Sequence, residues 1–299
     1  MILVFGMILD AIFGEPKWLW DRVPHPAVLT GRLINWCDRS FNKGDQQRLM
    51  GTMTIVEICI AAAIVGWVLE QLPGGVVDVI VLGILLAHKS LVTHITRVGD
   101  ALRLSLGDGK RAVQMVVGRD TKDMSRSQVA RAAIESAAEN LSDGVIAPIF
   151  WFWVAGLPGL LIYKAVNTAD SMIGYRTERH AAFGWASARL DDLLNLIPAR
   201  LTAALIWLVT GRPDPRPILQ EAPLHRSPNA GWPEAALAHG LDIALSGPRS
   251  YDGTVRDEPF VNAGGEHDLT PDHVDMAVRV LWHCWWGVFA LAALWAVVF

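Results

Sequence analysis

Three carboxylates of this chain are spaced for one face of a helix. Glu135, Glu139 and Asp143 stand four residues apart, and residues at that spacing project from the same side of an α-helix. Like charges at this spacing destabilise a helix, so we expect a cationic group or a metal ion to offset them. Carboxylate oxygens are ligands that Mg²⁺ prefers, and a bound Mg²⁺ can assist chemistry at a phosphate.

Two further polar groups follow an apolar run that ends at Tyr163. The first recurs every three or four positions, which predicts a polar stripe along an apolar helix: Lys164, Asn167, Thr168, Ser171 and Tyr175. The second, Asp191, Asp192 and Asn195, precedes another apolar segment, which carries Arg200. Any one of these residues could simply cap a helix or line a solvated helix end. Together they indicate a functional site, because ionisable and amide side chains beside membrane-length apolar segments are costly.

The residue types are compatible with two kinds of function. Carboxylates that hold Mg²⁺ beside lysine or arginine suit phosphate chemistry, whereas the same groups inside a helical bundle suit ion translocation. Familiar nucleotide motifs are missing from the sequence: Gly109-Lys110 is followed by Arg111, so there is no P-loop, and no GxGxxG, GxSxG or HExxH pattern occurs. A Mg²⁺-assisted enzyme and a small-solute transporter both stay open on these residues.

The composition indicates a membrane protein. Of the 299 residues, 52% are apolar, 19% are charged and 13 are Trp, a balance unlike that of an ordinary soluble domain. The apolar residues lie in segments along the whole chain with polar loops between them, which predicts several membrane helices. The net charge of −4 supplies no basic surface, so we expect no nucleic-acid partner.

We predict an all-α fold, a polytopic helical membrane protein with about five transmembrane or re-entrant segments plus amphipathic helices and polar loops. It is expected to form a single integral membrane domain over residues 1–299. The predicted apolar segments are 1–13, 52–72, 76–96, 145–165, 190–210 and 278–299, and the polar segments are 97–144 and 212–277.

The apolar segment 145–165 contains helix breakers close together. Residues Ala155 to Gly159 read A-G-L-P-G, which predicts a turn at membrane depth. With about ten apolar residues on each arm, the segment is either one kinked span or a re-entrant hairpin, and we favour the hairpin. The two arrangements give opposite sidedness to residues 164–195 and 212–277, which the sequence does not decide.

Six longer strings occur in order over nearly the whole chain: L-D-A-I-F-G-E-P, H-P-A-V-L-T-G-R-L-I, E-S-A-A-E-N-L-S-D-G-V-I-A-P, Y-K-A-V-N-T-A-D-S-M-I-G-Y, F-G-W-A-S-A-R-L-D-D-L-L-N-L-I-P-A-R and H-R-S-P-N-A-G-W-P-E-A. They closely resemble the adenosylcobinamide-phosphate synthase family of cobalamin biosynthesis. The match is specific, because hydrophobicity alone does not produce strings of this length. Residues 97–134 and 250–277 match only loosely.

The resemblance implies a multi-pass enzyme of the bacterial inner (cytoplasmic) membrane. Such an enzyme forms an amide between a propionate of adenosylcobyric acid, which is a corrinoid, and the amine of aminopropanol or its phosphate, using ATP and Mg²⁺. The lipid bilayer and other membrane enzymes of cobalamin assembly are the implied partners. Two alternatives stay open, a non-catalytic regulatory or sensory paralogue and a small-solute transporter of the same fold. The many charged residues favour an enzyme, because a regulator would not require them.

The resemblance also implies roles for individual residues. Lys164 and Arg200 would neutralise developing phosphate charge, and Asp191 or Asp192 would accept the proton of the amine. Mg²⁺ would be held by carboxylates of one set: Glu135, Glu139, Asp143 and Asp170. Substrates would contact polar residues of the matching strings: His25, Arg32, Asn140, Asn167, Thr168, Ser171, Tyr175, Asn195, Ser227 and Asn229. The choice between free and phosphorylated aminopropanol, the release of ADP or AMP and the oligomeric state are left open.

Overall fold

The computed structural model describes residues 1–175, 177–251 and 254–298 and is mostly helical, which confirms the all-α prediction. Its α-helices are Ile2–Phe13 (α1), Lys17–Trp20 (α2), Pro26–Phe41 (α3), Gln47–Glu70 (α4), Val76–Leu85 (α5), His88–Leu104 (α6), Leu106–Val113 (α7), Arg126–Leu141 (α8), Ala147–Ile173 (α9), Trp185–Leu194 (α10), Leu196–Val209 (α11), Pro215–Glu221 (α12), Gly231–Leu241 (α13) and Pro271–Val298 (α14).

Short elements complete the described chain. A π-helical turn, Ser142–Ile146, joins α8 to α9, and a 3₁₀ turn, Ala222–Leu224, follows α12. Four short strands, Leu245–Ser246 (β1), Arg249–Tyr251 (β2), Thr254–Arg256 (β3) and Phe260–Val261 (β4), form two antiparallel pairs, β1 with β4 and β2 with β3. The strands lie inside the segment that was predicted to be polar.

Within the described residues, four helical stretches are long and apolar enough to cross a membrane: Gln47–Glu70, Val76–Leu104, Arg126–Ile173 and Pro271–Val298. A fifth is added if the bent pair α10 and α11 counts as one span. This agrees with the predicted number of segments. The first helix, α1, has only 12 residues, which corresponds to a length of about 18 Å against about 30 Å of hydrocarbon.

The apolar segment predicted over 76–96 lies within the stretch Val76–Leu104, and this stretch contains a helix break that the sequence did not predict. Leu86 has an extended backbone with ψ 149°, which ends α5, and α6 begins at His88. Neither Pro nor Gly marks the break. The buried ring of His88 lies edge-on to Trp282 and stacks with Trp285. We attribute the new helix start to this aromatic packing, because local propensity does not require it.

The described chain divides into two compact units, each built from two separated stretches. Unit 1 comprises Met1–Ala87 and Ala147–Leu196, and unit 2 comprises His88–Ile146 and Ile197–Phe299. The prediction of a single membrane domain over residues 1–299 stays a prediction.

Unit 1 is centred on the packing of α4 against α9. Glycines on α4 allow this close approach: a Cβ on Gly66 would lie 2.5 Å from the backbone nitrogen of Pro158, and one on Gly51 would meet the carbonyl oxygen of Phe183. Small residues serve this purpose in membranes, where packing replaces the hydrophobic driving force. The buried side chains of this core include Ile55, Ile58, Val166, Ala169, Ile173 and Phe183.

The helix α9 is broken where the sequence predicted a turn. Ala155 and Gly156 have non-helical backbone angles, and a Cβ on Gly159 would lie 2.5 Å from the carbonyl oxygen of Trp151. A straight helix separates residues eight apart by about 12 Å, so the chain bends sharply here. The predicted turn at Ala155 to Gly159 is confirmed, whereas its membrane sidedness stays a prediction.

Unit 2 contains α8, which is buried along most of its length. Every residue from Val129 to Ala138 is buried, because the alanine-rich surface lets α6, α13 and α14 pack closely around it. The helix begins with a capping box in which Ser125 and Gln128 satisfy each other's backbone amides. Arg131 and Glu135 lie on this buried helix, so they need partners inside the protein.

Candidate active site

A buried carboxylate in unit 1 is held by two amides. Asn167 donates a hydrogen bond of 3.2 Å to Oδ1 of Asp191, and Asn195 donates one of 3.0 Å to Oδ2. The Tyr163 hydroxyl donates to Oδ1 of Asn195 at 3.0 Å. The structure thus joins three of the predicted residues, from α9 and from the end of α10, into one network and adds Tyr163. Neutral donors fix the carboxylate and leave it able to accept a proton.

The other predicted residues of α9 lie beside this network. Thr168 and Ser171 donate back to the carbonyls of Lys164 and Asn167 at 2.7 and 2.9 Å, a common arrangement for hydroxyls inside helices. Lys164 is half-buried, and so is Asp170. Outside this helix, Tyr175 is exposed, and the half-buried Asp192 lies 3.4 Å from the guanidinium of Arg189. Their contact with substrate stays a prediction.

In unit 2, Glu135 is engaged at both oxygens. Its Oε2 forms an ion pair with Arg119, and its Oε1 accepts a hydrogen bond of 2.7 Å from the backbone amide of Ser246. The guanidinium of Arg249 lies 3.5 Å from the same Oε1. The cationic group that the carboxylate spacing led us to expect is therefore present, as two arginines.

A second carboxyl, Glu234 on α13, is buried near this cluster. Its two oxygens lie 3.8 Å from Arg249 and 3.7 Å from Nε2 of His225. Burial raises the pKa of the Glu234 carboxyl, and the neighbouring charge of Glu135 raises it further. Burial lowers the pKa of the His225 imidazole. Both groups are thus displaced toward their neutral forms, in which one can donate and the other accept a proton.

Two cavities adjoin this cluster, and Ser246 lines both. The larger, of about 230 Å³, is bordered by arginines and by two exposed aspartates: Arg119, Arg131, Arg249, Asp120 and Asp123. The smaller, of about 110 Å³, is bordered by apolar residues and by four ionisable groups: Glu221, His225, Arg226 and Glu258. Ser246 has a positive φ of 61°, a conformation that is uncommon for a residue other than glycine. Positive-φ residues of this kind cluster at functional sites.

Arg200 joins a third polar group in unit 2. Its Nη1 donates to Oδ1 of Asn229 at 3.3 Å, and its guanidinium lies 4.7 Å from the ring centroid of Trp232. The Ser227 hydroxyl accepts hydrogen bonds of 3.2 Å from the backbone amides of Asn229 and Ala230. Three predicted residues therefore come together at the start of α13, where Ser227 and Asn229 shape the local backbone.

The remaining predicted residues have more ordinary surroundings. His25 caps α3: its Nδ1 accepts from the Ala27 amide at 3.2 Å, and its Nε2 lies 3.3 Å from the Ile84 carbonyl. These contacts fix the orientation of the ring, and the substrate contact of His25 stays a prediction. Arg32 is exposed on α3. Asn140 is exposed and donates to the Ser136 carbonyl at 2.9 Å.

The four carboxylates of the predicted metal set differ in how well they suit Mg²⁺. Glu135 is a poor fit, because Arg119 and the Ser246 amide already occupy its oxygens. Glu139 is exposed and Asp143 is half-buried. Among the residues that the structure describes, no group of three or more His, Cys, Asp or Glu side chains is arranged to hold a metal ion. A Mg²⁺ held by one or two carboxylates together with substrate phosphates remains a prediction.

Sequence reasoning missed most of the buried cluster in unit 2. Arg119, Arg249 and Glu234 belong to segments far from Glu135 in the chain, and pattern alone does not pair them. A signal did exist in the string H-R-S-P-N-A-G-W-P-E-A, which contains both His225 and Glu234. Because ionisable residues are rarely buried without a partner, Glu234 at the start of this apolar helix predicts a nearby charged or polar partner.

The comparisons with known proteins agree with the resemblance. A family model described as CobD/Cbib protein matches residues 3–281. The cobalamin biosynthesis protein CobD of Sinorhizobium fredii is 45% identical over 94% of this chain and 92% of its own length. The CobD of Rhizobium meliloti is 43% identical over 98% and 96%, and that of Rhodobacter capsulatus is 44% identical over 87% and 86%. No solved structure matches the chain significantly.

These matches cover most of this chain and most of each relative. They include the segments that carry the three polar groups. The named relatives act in cobalamin biosynthesis, and the several apolar helices agree with a multi-pass membrane protein. The chain belongs to the CobD/Cbib family of cobalamin biosynthesis.

Proposed function

We propose that the protein forms an amide between a propionate of adenosylcobyric acid and the amine of aminopropanol or its phosphate, with ATP as the energy source. Membership of the cobalamin biosynthesis family supports the pathway. The strings that resemble adenosylcobinamide-phosphate synthase support the reaction. We further propose the bacterial inner membrane as its location and other membrane enzymes of cobalamin assembly as its neighbours.

The observation that carries the proposal is the Asp191 network. Amide formation requires a neutral amine to attack an activated carboxyl, and the attacking nitrogen must then lose a proton. Asp191 is buried and oriented by Asn167 and Asn195, so it is suited to take that proton. The four side chains of this network hydrogen-bond to one another, which gives less support to a transporter that conducts ions.

The proposed reaction has two steps. The propionate carboxylate attacks the γ-phosphorus of ATP and forms an acyl phosphate, with ADP leaving. The amine nitrogen then attacks the acyl carbon, inorganic phosphate leaves with one carboxylate oxygen, and Asp191 takes the proton of the nitrogen. Lys164 would stabilise the charge on the transferring phosphoryl oxygens. Mg²⁺, when bound, would neutralise charge on the ATP phosphates.

The proposal is tested with the purified full-length protein in detergent. We expect adenosylcobyric acid, aminopropanol phosphate and Mg-ATP to yield a new corrinoid. Its mass should equal that of the acid plus that of the amine minus one water, and no product should form without ATP. Lys164→Met should lower turnover on the order of 10²-fold while the corrinoid still binds. Ion flux in proteoliposomes that Lys164→Met changes, without any corrinoid product, would establish a transporter instead.

A further inference from the structure

The larger cavity of unit 2 brings together three arginines from separate parts of the chain. Arg119 precedes α8, Arg131 lies on α8 and Arg249 lies on β2. We infer that this cavity binds the phosphate group of a phosphate ester. The inference rests on the proposed function only for the source of that group, which is either ATP or aminopropanol phosphate.

The three guanidinium groups are held in place before any ligand arrives. Arg131 donates from Nε to the Ala244 carbonyl at 2.9 Å and from Nη2 to the His267 carbonyl at 2.8 Å. These acceptors are neutral, so they fix the planar group without balancing its charge. Arg119 is fixed by Glu135, and Arg249 by the Ser246 hydroxyl at 2.5 Å.

The size of the cavity favours a phosphate group over a corrinoid. Its volume of about 230 Å³ is several times the roughly 30 Å³ that a water molecule occupies in the liquid. It is smaller than the roughly 300–1,000 Å³ of sites that enclose a drug-sized ligand. A corrinoid macrocycle is larger still, so the cavity suits the phosphate end of a molecule that extends outward.

The charges around the cavity act on an incoming anion in opposite directions. Arginine suits a phosphate group because its planar guanidinium carries several N–H donors and a permanent positive charge. Asp120 and Asp123 are exposed at its border. Their negative charge opposes an incoming anion, so removing one of them should strengthen anion binding. A purely structural arginine cluster predicts no such gain.

The test is isothermal titration calorimetry on the full-length protein in detergent with EDTA, so that no divalent ion links the aspartates to the ligand. The probes are ATP, aminopropanol phosphate and inorganic phosphate, with adenosine and aminopropanol as phosphate-free controls. We expect ATP or aminopropanol phosphate to bind and its phosphate-free counterpart not to bind at the same concentrations. The ester that binds identifies the source.

Two variants change the affinity in opposite directions. Arg131→Lys keeps the charge but loses the planar group, and should weaken phosphate binding about tenfold. Asp123→Asn should tighten it about two- to fivefold, a gain that a folding defect cannot mimic. The control Asp214→Asn also removes one exposed negative charge but keeps a good N-cap for α12, and should leave the affinity unchanged.

Failure of the inference and failure of the proposed function can be told apart. The inference is overturned if neither phosphate ester binds, or if Arg131→Lys and Asp123→Asn both bind like the wild type while the amide still forms. Binding that follows the two variants as expected supports the inference even if no amide product is found. If binding follows the variants but no amide forms, the proposed reaction is wrong and the proposed phosphate site is still supported.

Discussion

Asn195 donates a hydrogen bond of 3.0 Å to Oδ2 of Asp191 within unit 1. With the Asn167 bond to Oδ1, it fixes both oxygens of a buried carboxylate through neutral donors. A base held in this way keeps its orientation and can still gain a proton. Its neighbour Asp192 is more exposed and lies near Arg189, so the adjacent aspartates have different surroundings.

The first prediction follows from that difference. Asp191→Asn keeps the size of the side chain but removes the proton acceptor, and should lower the rate of amide formation by about 10²-fold or more. Asp192→Asn is the matched control and should change the rate by only a few-fold. Turnover is measured by mass spectrometry of the corrinoid at saturating substrates. Equal losses in the two variants would remove Asp191 from the role of base.

The second prediction concerns the stability of unit 2. Glu135→Gln leaves the Arg119 guanidinium without its buried carboxylate and should lower the free energy of unfolding by about 3 kcal/mol. Glu139→Gln, one turn away on the same helix but exposed, should change it by less than about 0.5 kcal/mol. Denaturant unfolding in detergent gives both values. A stable Glu135→Gln protein with lost Mg²⁺ dependence would restore Glu135 as a metal ligand.

How far the sequence predicts this structure depends on the range of the interactions. The apolar segments, the turn at Ala155 to Gly159 and the capping box at Ser125 rest on local patterns, and local patterns can be recognised without a structure. The ion pairs of Glu135 join residues 16 and 114 positions away. No local preference encodes such pairs, and the same holds for the break before His88, which depends on tryptophans of α14.

The candidate site shows the same limit. The spacing of Asn167, Asp191 and Asn195 indicated a polar group, and the structure joins the three residues. Tyr163 was assigned to the apolar run, although its hydroxyl completes that network. The aromatic ring satisfies the apolar pattern, and only the fold shows where its hydroxyl points.

The third prediction tests the bend in α9. Gly156 has φ 60° and ψ −151°, a region essentially restricted to glycine, and a Cβ there would meet Oε1 of Glu70, which accepts from the Leu157 amide at 2.7 Å. Gly156→Ala should therefore destabilise unit 1 by about 3 kcal/mol.

Gly44→Ala is the matched control for this bend. Gly44 also has a positive φ, of 70°, but nothing lies within 4 Å of its Cβ position, so only backbone strain of about 1–2 kcal/mol is expected. Thermal unfolding in detergent compares the two variants. A smaller effect at Gly156 than at Gly44 would mean that the sharp bend is absent.

The fourth prediction is a pH dependence from Glu234. Its folded pKa is raised above the ordinary 4.5, so above pH 4.5 the unfolded chain loses a proton that the folded protein keeps. Stability from this group is complete below pH 4.5 and is lost as pH rises through the folded pKa. Glu234→Gln should flatten that fall. Unfolding measured from pH 6.5 to 9 should show a decline with pH in the wild type and a nearly level profile in the variant, and an unchanged slope would exclude Glu234 as its source.

His225 acts with the opposite sign and can be separated from Glu234. Its folded pKa is lowered below the ordinary 6.5, so its contribution is complete above pH 6.5 and is lost as pH falls through the folded pKa. The His225 contribution to stability rises with pH below about 6.5, whereas the Glu234 contribution falls with pH above about 4.5. The Glu234→Gln profile should therefore rise with pH up to about 6.5 and then level off.

The central claim, carboxyl activation followed by attack of an amine, is tested most directly by following one oxygen atom. Adenosylcobyric acid labelled with ¹⁸O at both oxygens of the reacting propionate is incubated with the full-length protein, aminopropanol phosphate and Mg-ATP. We expect one ¹⁸O in the released inorganic phosphate for each amide formed, because the acyl phosphate passes a carboxylate oxygen to its leaving group. Label in AMP would show activation by adenylation instead of phosphorylation. Amide that forms without transfer of label to either product, or no amide at all, would contradict the account.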